Sequence, residues 1–498
     1  MLLGFLLGVG CTQWIEEPVI PYVQPSTVDE YERVLNGSYP GVYHTLLTSL
    51  LADVLTLDDT GGQQLSPLVR NAYLWGDADD PQQVGASISF SYPWLQYYGI
   101  IYKANYVISE VDTSENVLER SRALSLIAEA HLIRAHCYLY LGMLYAETYD
   151  PSTALVHLGV PLVTEPLDAS TDTYKRDKLV DLYDQIEKDI LLGIRFLRDE
   201  HVSHKKFRFT RASAYALASR YYLYKSHNYV NAVDEPIIRA SEILSPSDDD
   251  PVYFLKKVVE YATEGLALNS SAKDMKRLDT RGISDPRQFA RDYFDASNPE
   301  VLLSSLSLNF YTIFRQGFNL NGLRAEMAEK FPGDARTELF QQSGALSQAY
   351  LSIKTDNGYS GFAVPLYKVE ELYYNRAEAM TRLGLLYSAF EDLNHVSSLK
   401  RRTPEGTLFS VLDYQGQDEI LDLIFDLRKL EFYMEGHRWI DLKRFHRPRI
   451  AHTFRGEVFV LDSLDVRYIL PIPKREVSLG AIQTNPSNNL VDDIGAEL

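Results

Sequence analysis

The chain has 498 residues, enough to bury a large core, and 45% of them are hydrophobic. Its formal net charge of -19 at pH 7 argues against a nucleic-acid partner, because such a partner requires a basic face. The composition is otherwise that of a globular protein, except for 34 tyrosines, whose amphipathic rings suit helix-packing seams and surfaces that bind carbohydrates or peptides.

The N-terminus has the layout of a lipoprotein signal. Residues 1–10, MLLGFLLGVG, form an apolar run that is too short to span a bilayer and that ends in small residues directly before Cys11. No basic residue precedes this run, which suggests that Met1 is internal to the natural precursor, and Gly8 stands three positions before the cysteine. We predict a signal peptide over residues 1–10, lipidation of Cys11, and a proline-containing tether over residues 11–26.

The first helix is predicted to begin after Thr27, because Glu30 lies at capping-box distance from this N-cap candidate. An irregular polar stretch over residues 63–87 follows it and contains the isolated Trp75. An indole in such a loop is expected to be exposed, so Trp75 is a candidate stacking platform for a ligand. The nearby acidic run lacks the glycine and the closing glutamate of an EF-hand loop, so we expect a solvated loop there rather than a cation site. This run consists of Asp77, Asp79 and Asp80.

Helical patterns recur in pairs, over residues of about 27–57, 94–145, 179–244 and 366–445. Alanine alternates with tyrosine and leucine at a pitch of about 34 residues, so a small residue on one helix can admit a large one from the next. The pattern is similar to degenerate tetratricopeptide (TPR) hairpins. We predict a mainly α fold in which TPR-like hairpins form the scaffold and irregular loops and short strands are inserted. Cys137 lies within a helical pattern and is expected to be a small buried hydrophobe, not a metal ligand or a disulfide partner of Cys11.

The longest interruption of the helical pattern runs over about residues 269–364 and contains short strand-like runs at 301–305 and 361–364. Within it, residues 309–324 interleave aromatic side chains with amides and arginine, a combination that suits sugar hydroxyls and a peptide backbone equally. We therefore predict a ligand-facing insertion. Its candidate ligand-binding residues, besides Trp75, are Tyr311, Phe314, Arg315, Phe318, Asn319 and Asn321.

Two apolar helical stripes meet at Gly436, which lacks a Cβ and can therefore turn the chain through a positive φ. The first stripe is Leu423, Leu427, Leu430 and Met434, and the second is Trp439, Leu442 and Phe445. Charges of both signs lie between the stripes and predict an ion-pair network that joins two helices. These motif charges are Arg428, Glu431, Glu435, Arg438, Asp441 and Arg444.

A catalytic carboxylate pair is a second interpretation of Glu431 and Glu435. They lie one helical turn apart, but no nearby motif would separate their pKa values, so we favour the structural network. Asp422, Asp426 and Lys429 lie off the apolar stripe and are expected to be solvated.

The motif resembles the E-G-x-R-x-x-D-L-x-R signature of the SusD/RagB family, with Glu435-Gly436, Arg438, Asp441-Leu442 and Arg444 at its fixed positions. The resemblance extends from Cys11 to about Leu490. Further matches are W-x-x-Y-Y-x-x-I-x-x-A-N from Trp94 to Asn105, G-V-P-L from Gly159 to Leu162, D-x-R from Asp334 to Arg336, and I-P-x-x-E from Ile472 to Glu476.

The resemblance implies a single SusD-like domain over residues 27–498 and a lipoprotein anchored on the outer-membrane surface of a Bacteroidetes-type bacterium. Such a protein captures a nutrient for a SusC-like TonB-dependent transporter without chemistry of its own. The ligand is expected to be a glycan, or alternatively a peptide as in RagB-like members.

Two other functions stay open from the residues alone. A helical glycoside hydrolase needs only two carboxylates at a set separation, and 68 acidic residues always allow such a pair to be imagined. A repeat adaptor that binds protein tails is disfavoured by the lipoprotein leader. The chain has no G-x-S-x-G, H-E-x-x-H, P-loop or zinc-ligand spacing, so we expect no catalytic residue, cofactor or metal.

Overall fold

A computed structural model of the chain describes residues 25–57, 65–79, 88–113, 117–166, 174–226, 250–276, 295–307, 318–340, 362–402, 408–480 and 482–485. Within these ranges the protein is mainly helical, which confirms the predicted fold class. The α-helices are α1 (Val28–Asn36), α2 (Thr45–Leu51), α3 (Pro67–Tyr73), α4 (Ser91–Glu110), α5 (Val117–Tyr145), α6 (Leu179–Phe196), α7 (Arg211–Lys225), α8 (Pro251–Leu268), α9 (Asn321–Lys330), α10 (Val369–Arg382), α11 (Leu386–Lys400), α12 (Gln417–Glu431), α13 (His437–Arg444) and α14 (Lys474–Gly480).

Successive helices pack against one another as hairpins. Helix α4 lies against α5, α5 against α6, α7 against α8, and α10 against α11, and α10 also contacts α8 and α12. Helices α5 and α6 approach closely because Gly193 faces Leu132, where a Cβ on residue 193 would overlap the leucine side chain. This packing of small against large residues is what the alternation in the sequence predicts.

The start of α1 confirms the predicted capping box. The Thr27 side chain accepts a hydrogen bond from the backbone N–H of Glu30, and the Glu30 carboxylate accepts one from the N–H of Thr27 at 3.2 Å. Two N–H groups that have no partner inside the helix are thereby satisfied. The helix therefore begins where the local sequence predicts.

The described strands form three two-stranded antiparallel ribbons. The pairs are β1 (Thr56–Leu57) with β3 (Phe318–Asn319), β2 (Val301–Ser307) with β4 (Phe362–Lys368), and β5 (Ile450–Phe454) with β6 (Glu457–Leu461). The second ribbon includes both strand-like runs predicted from the sequence. The third is a hairpin that was not predicted from the sequence, closed by Arg455 and Gly456, both at positive φ, as a tight two-residue turn requires.

Some predicted segments differ from the structure or lie outside the described residues. The insertion at 269–364 is not wholly irregular, because it contains the three-turn helix α9. The predicted signal peptide at residues 1–10, Cys11, most of the tether, and the helix expected over residues 230–244 lie outside the described residues.

None of the helices in the described ranges is both long enough and apolar enough to cross a membrane. Cys137 is a free, fully buried cysteine within α5, as its helical surroundings predict. Burial raises the pKa of its thiol well above the ordinary value, so it is an inert packing residue.

Candidate functional site

The ribbon of β1 and β3 brings together residues that are far apart in the sequence. Thr56 pairs with Asn319 and Leu57 with Phe318, and α9 begins two residues after the ribbon ends. The Asn319 side-chain oxygen accepts a hydrogen bond from the N–H of Asn321 at 2.9 Å, which fixes the turn between strand and helix. Three predicted ligand residues, Phe318, Asn319 and Asn321, therefore lie at one place in the fold.

Phe318 faces the core rather than solvent. Its side chain is 3% exposed and makes an edge contact with Tyr73, with the ring centroids 4.9 Å apart. Tyr73 stacks on His452 at 4.2 Å, and His452 stacks on Trp75 at the same distance. These four rings form an aromatic column beneath the β1–β3 ribbon.

The prediction that Trp75 is an exposed indole is wrong. Trp75 is only 4% exposed, and its Nε1–H donates to the carbonyl oxygen of Leu51 at 2.9 Å. It lies two residues after the end of α3, at a positive φ of 55°, a turn that directs the ring into the core. Because the whole indole is covered, Trp75 supports the ribbon from below.

The acidic run after Trp75 is also only partly solvated. Asp77 is exposed, but Asp79 is buried and accepts hydrogen bonds from the N–H of Lys474 at 2.7 Å and from the Ser89 hydroxyl at 3.3 Å. Asp79 therefore fastens the start of α14 to this loop. Asp80 lies outside the described residues.

Polar groups line the outer side of the ribbon. Thr56 and Arg324 are exposed, and Asn319 and Asn321 are partly exposed. Gly322 lets the start of α9 pack closely on the Thr56 hydroxyl, since a Cβ there would lie 2.6 Å from Oγ1. A hydroxyl, two amides and a guanidinium are suited to hydrogen bonding with sugar hydroxyls or a peptide backbone. We call these four residues the ribbon edge.

The other predicted ligand residues cannot be assigned to this edge. Tyr311, Phe314 and Arg315 lie outside the described residues, directly before β3 in the sequence. Their role in ligand binding stays a prediction.

The motif charges pair with one another and with partners on neighbouring helices. Asp441 is 1% exposed and accepts from Arg428 Nε at 2.9 Å and from Arg444 Nε at 2.8 Å. Arg444 also donates to Glu378 of α10. Burial opposes ionisation of Glu378, but Arg444 and Arg382 outweigh it and lower its pKa to about 2.

A second group of charges surrounds Lys368 at the end of β4. Its Nζ lies 3.0 Å from Glu431 and 2.9 Å from Glu435, and Arg336 lies 2.7 Å from Glu431. Burial disfavours the ionised form of both glutamates, but Lys368, Lys400 and Arg336 together lower the pKa of Glu431. For Glu435, burial outweighs Lys368 and raises the pKa to about 7. The expectation that nothing would separate the pKa values of these two carboxyl groups is therefore wrong. Both groups nevertheless contact the same Lys368 ammonium group, as in a structural ion-pair cluster.

Arg438 connects the motif to the ribbon edge. Its guanidinium donates two hydrogen bonds of 2.8 Å to Asp53, which lies three residues before β1. Lys429 donates to the same carboxylate at 2.9 Å and to Glu326 of α9 at 2.7 Å. The expectation that Lys429 is solvated is therefore wrong: it is buried because it joins the chain entering β1 to the helix that follows β3.

Gly436 has the predicted backbone conformation. Its φ is +85°, in the left-handed region that favours glycine, and it directly precedes α13. A Cβ here would lie 2.5 Å from the His44 ring at the start of α2. Gly436 thus brings the two motif helices against α2, the element that leads to Asp53 and β1.

Several partners of the motif charges were not predicted from the sequence. Asp53 and Lys368 belong to no recognisable motif, since their partners lie far away in the sequence, whereas Asp334 and Arg336 had been noted only as a family match. Arg336 donates to Asp334 at 2.7 Å and to Glu431. The described residues contain no cluster of three or more potential metal ligands.

Comparisons with known proteins place these features in context. A family model described as "Starch-binding associating with outer membrane" matches residues 28–223, and one described as "SusD family" matches residues 272–487. Two proteins of Formosa agariphila are similar over nearly their whole lengths. SusD-like protein P25 is 22% identical over 96% of this chain and 96% of its own, and SusD-like protein P2 is 22% identical over 94% of each.

Solved structures share the fold. A SusD superfamily protein of Bacteroides thetaiotaomicron has a TM-score of 0.67 at 19% identity, covering 93% of this chain and 100% of its own. A putative sugar binding protein of Bacteroides vulgatus has the same TM-score and identity, covering 93% and 99%. A SusD-like carbohydrate binding protein of the same species has a TM-score of 0.65 at 15% identity, covering 92% and 97%.

Proposed function

The chain belongs to the SusD/RagB family, and on that premise we propose that it is a cell-surface lipoprotein that captures glycans and delivers them to a SusC-like TonB-dependent outer-membrane transporter. The observation that carries the proposal is the pair of family models, one of them described as starch-binding and outer-membrane associated, which together match residues 28–223 and 272–487.

The ribbon edge is the proposed part of the ligand surface. The Asn319 amide lies on β3 and the Asn321 amide at the start of α9. These elements are held in place by Lys429, which binds Glu326 of α9, and by Arg438, which binds Asp53 before β1. Polar groups held on rigid elements lose little conformational freedom when they bind a ligand, which favours affinity. The names of two structural relatives, a putative sugar binding protein and a carbohydrate binding protein, favour a glycan.

Two alternative functions can be distinguished from glycan capture. Amides also bind a peptide backbone, so a RagB-like role in peptide capture would use the same edge. A helical glycoside hydrolase is disfavoured, because Glu431 and Glu435 both bind the Lys368 ammonium group and Glu431 also binds Arg336. Carboxylates held in this way are poorly placed to reach a glycosidic bond.

The proposed anchor is Cys11, supported by the apolar run that ends directly before it. One acyl chain binds a membrane only marginally, so stable retention requires the two or three chains of a bacterial lipoprotein. Residues 11–26 would then link the anchor to the start of α1.

The ligand class is tested by probing purified protein against glycan and peptide arrays, followed by affinity measurements on two variants. Asn319→Asp keeps an oxygen to accept from the Asn321 N–H but removes the amide donor, and Asn321→Ala removes the second amide. Each is expected to weaken binding to the positive array component by about tenfold. Asn36→Ala, at an exposed asparagine ending α1, is the matched control. Binding to peptides alone would favour the RagB-like role, and product formation on incubation would favour the hydrolase.

A further inference from the structure

His452 of β5 contacts a carbonyl oxygen through each of its two ring nitrogens. Nδ1 lies 2.6 Å from the carbonyl oxygen of Tyr73, and Nε2 lies 3.0 Å from that of Ala52. A carbonyl oxygen can only accept a hydrogen bond, and a neutral imidazole has one N–H donor, whereas an imidazolium has two. Both contacts can therefore be hydrogen bonds only when His452 is doubly protonated.

The surroundings of the ring suit a cation. Tyr73 is the last residue of α3 and Ala52 caps the end of α2, so both carbonyl groups lie at helix C-termini, where the partial charge is negative. The rings of Tyr73 and Trp75 lie nearly parallel to the imidazole, at angles of 8° and 20°, with each centroid 4.2 Å away. Two rings so close cannot share one face of the imidazole, so aromatic faces, which attract cations, cover both of its sides.

Asp53 is the charged group that acts on His452. Its carboxylate is held ionised by Arg438 and Lys429. Burial lowers the pKa of His452, whereas the two carbonyl groups and the Asp53 charge oppose this effect. The other titratable group that faces the ring is the phenol of Tyr73, and a phenol ionises only near pH 10. His452 is therefore expected to lose its second proton in the mildly acidic range.

The two contacts of His452 hold the supports of the β1–β3 ribbon. Ala52 lies four residues before β1, and the Tyr73 ring packs against Phe318 of β3 at 4.9 Å. Loss of one proton from the imidazolium would turn a nitrogen lone pair toward a carbonyl oxygen, which repels it, so one contact would open. Because Ala52 leads into β1 and Tyr73 supports β3, either opening would loosen the ribbon edge.

We propose that doubly protonated His452 is a positioning residue for the ribbon edge, which it holds in the arrangement that binds a glycan by fastening Ala52 and Tyr73 beneath β1 and β3. The arrangement with both contacts binds the second proton more tightly than an arrangement with one, because each carbonyl group favours the imidazolium. It is therefore favoured below the pKa of His452 and is lost as the pH rises through that value. The effect on glycan affinity rests on the proposed function, whereas the protonation of His452 and the order of the ribbon are properties of the free protein.

The protonation is tested on the free wild-type chain. Nitrogen chemical shifts of ¹⁵N-labelled histidine distinguish an imidazolium from a neutral ring, and contacts with the Tyr73 and Trp75 rings assign the signal of His452. Both nitrogens are expected to be protonated at about pH 5 and one of them at about pH 7.5, because burial lowers the pKa. A ring that carries a single proton at about pH 5 would overturn the proposal.

Amide hydrogen exchange, corrected for its intrinsic pH dependence, measures the order of the ribbon. The amides of residues 56–57 and 318–319 should be about tenfold better protected at about pH 5 than at about pH 7.5, because a hydrogen bond from a charged group is lost at the higher pH. His452→Gln, which has one nitrogen in place of two and does not titrate, should show the lower protection at both pH values.

Two variants are controls for the exchange measurement. His395→Gln removes an exposed imidazole on α11, and Glu435→Gln removes the carboxyl group whose pKa is about 7. Both should keep the wild-type pH dependence of ribbon protection. Equal protection of the wild-type ribbon at the two pH values, or an unchanged pH dependence in His452→Gln, would overturn the proposal. The wild-type measurements decide it even if His452→Gln does not fold.

Titration of a maltooligosaccharide, a fragment of starch, measures the effect on the ligand surface. Wild type should bind it about tenfold more tightly at about pH 5 than at about pH 7.5, and His452→Gln should show the lower affinity at both. An affinity that depends on pH equally in both proteins would overturn the proposal. Ribbon protection that follows the pH while the affinity does not would instead contradict the proposed function of the ribbon edge and leave the positioning of the ribbon by His452 standing.

Discussion

Replacing Asp441 with alanine is expected to destabilise the fold strongly without changing ligand specificity. Asp441 is almost fully buried between Arg428 and Arg444, at 2.9 and 2.8 Å. Its removal leaves two buried guanidinium groups without this carboxylate, a loss of roughly 3–5 kcal/mol for a broken buried pair. Arg428 keeps its hydrogen bond to Asn375 and Arg444 keeps Glu378, which places the expected loss at the lower end of that range.

Arg438→Ala provides an internal comparison. Its partner Asp53 has a side chain that is 27% exposed and retains Lys429, so water and the remaining cation can compensate. The expected cost is roughly 1–2 kcal/mol, smaller than for Asp441→Ala. Asp422→Ala, at an exposed carboxylate of α12, is the control and should change stability by less than about 0.5 kcal/mol.

Thermal and urea denaturation measure the order of stability of the three variants, and titration of a ligand measures binding on the same preparations. Asp441→Ala should melt at the lowest temperature, Arg438→Ala at an intermediate one, and Asp422→Ala as wild type. An Asp441→Ala variant that keeps the wild-type melting temperature but loses its ligand would refute the reasoning, because Asp441 would then be a binding residue.

Three further predictions follow from the buried groups and the leader. Trp75→Ala should lower the free energy of unfolding by roughly 3–5 kcal/mol, and Trp75→Phe by less, because it keeps the stacking on His452. Both variants should bind ligand as wild type when folded. Weakened binding without destabilisation would instead show that Trp75 is a ligand platform. Between pH 4.5 and about 7 the folded protein holds a proton on Glu435 that the unfolded chain has released, so stability should fall as the pH rises through this window. Glu435→Gln should remove this pH-dependent change in stability, which amounts to at most about 3 kcal/mol. The measurement is the melting temperature as a function of pH, and an unchanged slope in the variant would mean that Glu435 ionises normally. Cys11→Ala should release the protein from membranes into the soluble fraction, and unchanged retention would show that the anchor lies elsewhere.

Local patterns in the sequence predicted the elements that depend on local interactions. The capping box of Thr27 and Glu30, the left-handed Gly436 and the individual helices all depend on residues within a few positions of one another. The strand runs of β2 and β4 were likewise recognisable, although their pairing was not.

Burial was harder to predict, because it depends on contacts between distant segments. Trp75 lies after a short helix in an irregular stretch, and only its packing on His452 and its hydrogen bond to Leu51 reveal it as a core residue. Lys429 appeared solvated from helical periodicity, since a buried position for lysine requires the carboxylates of Asp53 and Glu326, which come from other elements. The same reason explains why Asp53 was missed.

At the ribbon edge, composition was informative but burial could not be predicted. Residues 309–324 were recognised as ligand-like from composition, but only the pairing of β1 with β3 separates the buried Phe318 from the partly exposed Asn319 and Asn321. Because side chains on a strand alternate between its two faces, adjacent residues there have opposite environments.

The motif charges form buried ion pairs that support the fold, and we propose that the ribbon edge binds the ligand. Measuring ligand affinity and melting temperature together on Asn319→Asp and Asp441→Asn separates these two roles. We expect weaker binding with an unchanged melting temperature for Asn319→Asp. For Asp441→Asn we expect a lower melting temperature with unchanged affinity, measured below the unfolding transition. The reverse assignment, with Asp441→Asn losing ligand at full stability and Asn319→Asp binding as wild type, would contradict this expectation.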